Sequence, residues 1–262
     1  MTLKDMISIY DPNYHYSCGY HDLSPFSPDE KHLIFCSIDK NDFKKNKVLG
    51  KKDIEVDIKI MNLKNKKISN LISSRAYSLE QGVRINWIDN QRISINNIDN
   101  NLIPQFIIFN IYNMKVEKVI KDFFAHQLFG IGKKICLSMD YSQIRRNWPS
   151  YGYTHSYTDL QTKNSLNIID WGEKKLIKRI NLDELDSYKK YNEGFIVHPT
   201  MSENGERLLF MHRLNFNNIL YSWLYFADLK TGHIKLITEE KVSHFTWIGN
   251  DKFLLYRRIL PK

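Results

Sequence analysis

The chain has 262 residues, 42% of them hydrophobic and 13% aromatic, with a formal net charge of +9 at pH 7. That length can bury a substantial core as one large all-β domain or two smaller domains, and the composition excludes a disordered chain. No run approaches the roughly 18 apolar residues of a membrane-spanning helix, and Met1–Tyr16 lacks the basic start and apolar stretch of a signal peptide.

Read in chain order, the periodicity is that of strands almost throughout. A first unit runs HLIFCSI (His32–Ile38), a Lys-rich loop (Lys44–Lys52), then VDIKIMNLKNKKISNLI (Val56–Ile72). A second runs Val83–Ile98, then Phe106–Ile120. A third runs Gly132–Tyr141, a long loop, then Leu166–Ile180. LDELDSYKKYNEG (Leu182–Gly194) reads as a helix leading into a fourth unit, Glu206–Arg213 and Trp223–Thr238. A fifth begins with Phe245–Ile259.

Each unit ends in a hairpin of one form: apolar run, Asn or Asp, hydrophobe, turn, Lys, apolar run. The four turns, Lys64-Asn65, Tyr112-Asn113, Gly172-Glu173 and Thr231-Gly232, occupy equivalent places. SPFSPDEKHLIFCSID (Ser24–Asp39) and HPTMSENGERLLFMHR (His198–Arg213) share a second plan, turn then charged residue then apolar strand. Internal repeats of about 40–50 residues made of short strands are the signature of propeller blades. The expectation is an all-β protein, one β-propeller domain over residues 1–262, with four four-stranded blades and the start of a fifth.

The +9 charge admits a polyanionic partner, nucleic acid or acidic glycan, or simply a solvated basic surface. No recognition helix or aromatic RNA-binding motif accompanies it, so nucleic acid is set aside. Cys18, Cys36 and Cys136 lack paired or metal-type spacing; Cys36 and Cys136 fall inside apolar strands and read as core. A reducing, cytoplasmic setting is expected. There is no GxSxG, Walker-type GK[ST], HExxH or paired CxxC. His21 and Asp22 are neighbours whose side chains would point to opposite faces of a strand, so they read as turn residues.

Strand ends near a propeller axis converge, so His198, His212 and His244 could meet and hold a divalent metal. Equally, each imidazole could bond the backbone of a neighbouring blade. Arg145, Arg146, Tyr151 and Tyr153 form a second group. A guanidinium grips a carboxylate bidentately, and a tyrosine stacks on a sugar or donates a proton. Their alternative is an aromatic loop packed on the blade below, with solvated arginines.

Four stretches resemble TolB-like, WD-repeat-like β-propellers related to the oligogalacturonate lyases, a family often associated with polysaccharide genes. They are YHYSCGYHDLSPFSPDEKHLIF (Tyr14–Phe35), QGVRINWI (Gln81–Ile88), CLSMDYSQIRRNWPSYGY (Cys136–Tyr153), and HPTMSENGERLLFMHR together with VSHFTWIGNDKFLLY (Val242–Tyr256). The family's proline before the GY motif is displaced here to Pro149, and the family continues beyond the last stretch, so a C-terminally truncated propeller is expected. The resemblance implies a divalent metal such as manganese held by histidines and a glutamine, with Gln81 the candidate beside His198, His212 and His244. In such lyase chemistry Arg145, Arg146 and Arg213 would clamp the substrate carboxylate, and Tyr151 or Tyr153 would supply a proton. Three functions follow as expectations: binding an acidic polysaccharide or assisting its assembly or handling; a metal-dependent polysaccharide lyase acting by β-elimination on uronates; or a protein-interaction scaffold.

Overall fold

A computed structural model describes residues 9–20, 22–45, 55–78, 80–129, 134–148, 150–153, 165–217, 219–239 and 241–258. Within them the chain builds four successive four-stranded antiparallel meanders and one two-stranded sheet. Blade 1 is β1 (Tyr14–Ser17), β2 (His32–Asp39), β3 (Val56–Asn62) and β4 (Ile68–Ser74). Blade 2 is β5 (Asn86–Trp87), β6 (Arg92–Ile98), β7 (Pro104–Asn110) and β8 (Lys115–Lys121). Blade 3 is β9 (Ala125–Phe129), β10 (Ile135–Met139), β11 (Ser165–Asp170) and β12 (Lys175–Asn181). Blade 4 is β13 (Phe195–Met201), β14 (Arg207–Phe216), β15 (Ile219–Asp228) and β16 (Ile234–Thr238). The last sheet pairs β17 (Lys241–Ile248) with β18 (Lys252–Arg258). This is a β-propeller of four-stranded blades.

The repeated hairpin has a local cause. The last residue of each third strand is Asn or Asp, and its side-chain oxygen caps the turn. Asn62 Oδ1 accepts from the amides of Lys64 and Asn65 at 3.0 and 3.2 Å. Asn110 does the same for Tyr112 and Asn113, Asp170 for Glu173, and Asp228 for Lys230 and Thr231. Such side chains mimic the backbone of a turn. A β-bulge follows in all four blades between the third and fourth strands.

Second strands such as β2 are buried on both faces, which is why they read as continuous apolar runs. Outer strands such as β8 and β12 are largely exposed. Apolar faces of adjacent blades form the core. Ile34, Cys36 and Ile58 of blade 1 pack on Ile93, Ile95 and Ile107 of blade 2, and Phe106 and Ile108 of blade 2 meet Cys136 and Ile169 of blade 3. The largest cluster joins blades 3 and 4, with Phe245, Trp247, Phe253 and Leu255 of the last sheet against it.

Cys36 and Cys136 are buried and free, as read from the sequence. The expected helix over Leu182–Gly194 is shorter: a 3₁₀ turn at Leu182–Glu184, then α3 (Asp186–Tyr191), stopped by the left-handed Asn192. Two stretches read as loop carry helices, α1 (Lys40–Lys45) and α2 (Tyr141–Asn147). The remainder of the Lys-rich loop, His21, Pro149 and residues 259–262 lie outside the described residues.

Candidate functional site

The first strands of blades 3 and 4 and of the last sheet converge on one cavity, of about 290 Å³. Asp22, from the loop after β1, closes it on the blade 1 side. Blade 3 contributes His126 and Gln127, blade 4 His198, Pro199 and Thr200, and β17 Ser243, His244, Phe245 and Thr246. Residues up to about 220 positions apart in sequence thus share one wall, as a propeller axis requires.

Asp22 is fixed by Arg84, whose side chain is wholly buried. The guanidinium forks onto the carboxylate, Nη1 to Oδ1 at 2.8 Å and Nη2 to Oδ2 at 2.7 Å. Nη1 also donates to Gln81 Oε1 at 3.1 Å, and Nη2 to the carbonyl of His126 at 2.6 Å. One arginine therefore ties together blades 1, 2 and 3. Burial opposes its charge, but the neighbouring Tyr141 and Asp22 oxygens outweigh that and hold it protonated. Arg84 sits at φ 53°, a left-handed conformation rare for a non-glycine residue.

His126 is buried, its Nδ1 2.7 Å from the Tyr141 hydroxyl and its Nε2 3.8 Å from Asp22 Oδ2. Burial, then the Arg84 charge, push its pKa well below the usual imidazole value, so it is neutral near pH 7. His198 is also left-handed, at φ 50°. It lies where the β13–β14 register slips between Val197 and Thr200, and such bulges re-aim side chains. Its ring lies within 3.1 Å of the Tyr151 hydroxyl and stacks on Tyr20. Tyr151 donates to Tyr20 at 2.6 Å, and burial followed by that bond raises its pKa, so it stays protonated.

The sequence-derived residues separate. His198 and His244 line the cavity; His212 and Gln81 do not. His212 lies in β14, one strand out from the axis. Its Nδ1 is 2.6 Å from Ser187 Oγ, its Nε2 3.0 Å from the carbonyl of Glu193, and its ring stacks on Trp223. Gly194 lets that ring approach; a Cβ there would overlap Nε2. Gln81 is buried and occupied by Arg84. Among the described residues no group of three or more His, Cys, Asp or Glu side chains is placed to hold a metal. The donor set expected for manganese is thus not assembled, since His212 and Gln81 lie away from His198 and His244.

The Arg–Tyr group separates likewise. Tyr153 is fully buried, stacked on Tyr141 at 4.5 Å, with its hydroxyl bonded to Asn96 Nδ2. Gly152 packs directly on the backbone of α2. Arg213 lies over the Trp148 ring, and neither it nor Arg145 lines the cavity. The Arg146 side chain lies outside the described residues. Sequence reasoning missed Arg84, His126 and the role of Asp22, although Asp22 and Arg84 both stand in the stretches that carry the family resemblance.

No family model matches the chain, and no curated protein sequence matches it. Among solved structures, TolB from Acinetobacter baumannii is similar at a TM-score of 0.48 and 14% identity, over 84% of this chain and 44% of TolB. The β-propeller domain of the Trilobed protease from Pyrococcus furiosus gives 0.48 and 15%, over 89% of this chain and 64% of that one. An oligogalacturonate lyase in complex with manganese gives 0.40 and 11%, over 90% and 69%. The chain thus spans less than two thirds of the first two proteins, and these distant likenesses assign no residue and no activity to it.

Proposed function

We propose that the axial cavity binds a hydroxyl-rich sugar unit of an acidic glycan, and that the chain acts as a glycan-binding module. One observation carries the reading: a polar cavity lined from blades 1, 3 and 4 and the last sheet by a fixed carboxylate, imidazoles, an amide and hydroxyls, with Phe245 as an apolar wall. Its volume is near the lower end of the roughly 300–1,000 Å³ typical of ligand sites. Asp22 is held rigid by Arg84 and accepts hydroxyl protons; Gln127, Thr200, Ser243 and Thr246 offer matching donors and acceptors. The +9 charge supports an anionic chain outside the cavity. A cationic clamp for β-elimination is not supported, because Arg84 is engaged by Asp22 while Arg145 and Arg213 lie elsewhere.

Calorimetric titration with galacturonic acid, polygalacturonate and a neutral glucan tests this. Salt-sensitive binding of polygalacturonate is expected, weakened about tenfold by His198→Gln or Thr246→Val. Ultraviolet absorbance of the uronate polymer should stay flat. Absence of binding to all three, or a rise in absorbance from unsaturated products, overturns the reading.

A further inference from the structure

Blade 1 and blade 4 carry the same outer turn, built bond for bond. Ser27 N donates to the carbonyl of His32 and Glu30 N to that of Ser27; Ser202 N donates to the carbonyl of Arg207 and Gly205 N to that of Ser202. Trp87 Nε1 donates to the Pro25 carbonyl at 3.2 Å, as Trp247 Nε1 does to that of Thr200 at 3.0 Å. Phe26 and Met201 therefore hold equivalent positions, as do Glu30 and Gly205.

What covers these positions differs. At blade 4, Met201 is buried, Asn250 accepts from the Asn204 amide and from Arg207 through its own carbonyl, and Asp251 pairs with Arg207. At blade 1 the same scaffold stays open. Phe26 is 44% exposed. It lines a groove of about 560 Å³ with Trp87, Pro28 and Leu63, rimmed by Ser24 and Glu30. Glu30 is left-handed at φ 55°, where blade 4 has glycine.

We infer that this groove is a second sugar subsite, a stacking platform for the next unit of a glycan chain whose first unit sits in the axial cavity. The inference rests on the glycan-binding reading. A pinned indole, a phenyl ring and a proline give flat apolar surface for a pyranose face, and Glu30 at the rim offers a carboxylate to its hydroxyls, while the Ser24 hydroxyl is bonded to the Phe26 backbone. The continuity is covalent: one loop supplies Asp22 to the cavity and Ser24, Phe26, Ser27 and Pro28 to the groove. Two residues span at most about 7 Å, so the chain leaves the cavity at Asp22 and enters the groove at Ser24 within one short loop.

The test compares galacturonic acid with polygalacturonate on the folded full chain and on Phe26→Ala and Phe26→Trp. Phe26 is partly exposed, so both variants should fold. The expected result is polymer binding about fivefold weaker in Phe26→Ala and retained in Phe26→Trp, with galacturonic acid unchanged in both. Equal loss for monomer and polymer overturns the subsite, because Phe26 then acts only through the loop that carries Asp22. No change in either also overturns it, as does displacement of the Trp87 indole resonance by a proline-rich peptide and not by the polymer. If His198→Gln leaves wild-type monomer binding intact, the cavity reading fails separately; if no glycan binds at all, both fail.

Discussion

His212 shows how burial alone can set a side chain's chemistry. Its pKa is lowered from 6.5 to about 4 by burial, only partly offset by the Glu193 carbonyl. The unfolded chain takes up this proton more readily than the folded one, so the contribution to stability is complete above about pH 6.5 and lost on acidification toward about pH 4. The loss is on the order of 3 kcal/mol, and His126 adds in the same direction. Urea unfolding between pH 7 and pH 4 should therefore show a steep fall that is shallower in His212→Gln; equal slopes would refute the assignment. His198 and His212 looked alike in the sequence, each at the edge of an apolar run. What separates them is strand order: β13 is innermost in its blade and β14 is second. Asp22 was visible as a neighbour of His21, but the partner that defines it, Arg84, lies 62 residues away. Sequence order does not disclose that pairing.

At the scale of the element, the hairpins were the most legible feature. The Asn or Asp before each turn is written in the sequence because its side chain must accept turn amides. Replacing Asn62 by Ala removes two such bonds at an exposed turn and should cost about 1 kcal/mol. Asn62→Asp should be nearly neutral, since Asp170 and Asp228 hold the same position in blades 3 and 4. Denaturant midpoints of the two variants check this, and equal loss in both would show that the cap is not the cause. By contrast, α2 was hidden. YSQIRRN is only seven residues long, too short for its i, i+3 pair Tyr141 and Ile144 to stand out as a helical period, and the segment is anchored by burial of those two and by the close approach of Gly152. Tertiary packing decides that helix, not propensity.

For the whole molecule, blades stack as neighbours in a row, and the contacts between blades chiefly join adjacent repeats. The Asp22–Arg84 pair, with its bond to the His126 carbonyl, is different, because it links three blades around the centre. Arg84→Met would leave Asp22 without its cation, and because that carboxylate is 37% exposed the loss should be about 2 kcal/mol, below the roughly 3–5 kcal/mol of a fully buried pair. Pairing that change with Asp22→Leu should recover a substantial part of the loss. Chemical denaturation of the single and double variants reads the coupling, and purely additive losses would show that the two side chains act independently. The succession of repeats was legible because every blade restates it. The contents of the centre were not, since blades 1, 3 and 4 and the last sheet each contribute one to four unrelated residues there.

Glu30 puts a cost on the blade 1 turn that blade 4 avoids with Gly205. Glycine at position 30 would relax the backbone and raise the melting point, with a gain of about 1 kcal/mol. The same exchange would strip the groove of its one acidic side chain. A screen for thermal robustness would therefore favour this substitution while blunting whatever recognition that carboxylate provides, so heat tolerance and ligand choice compete at a single codon.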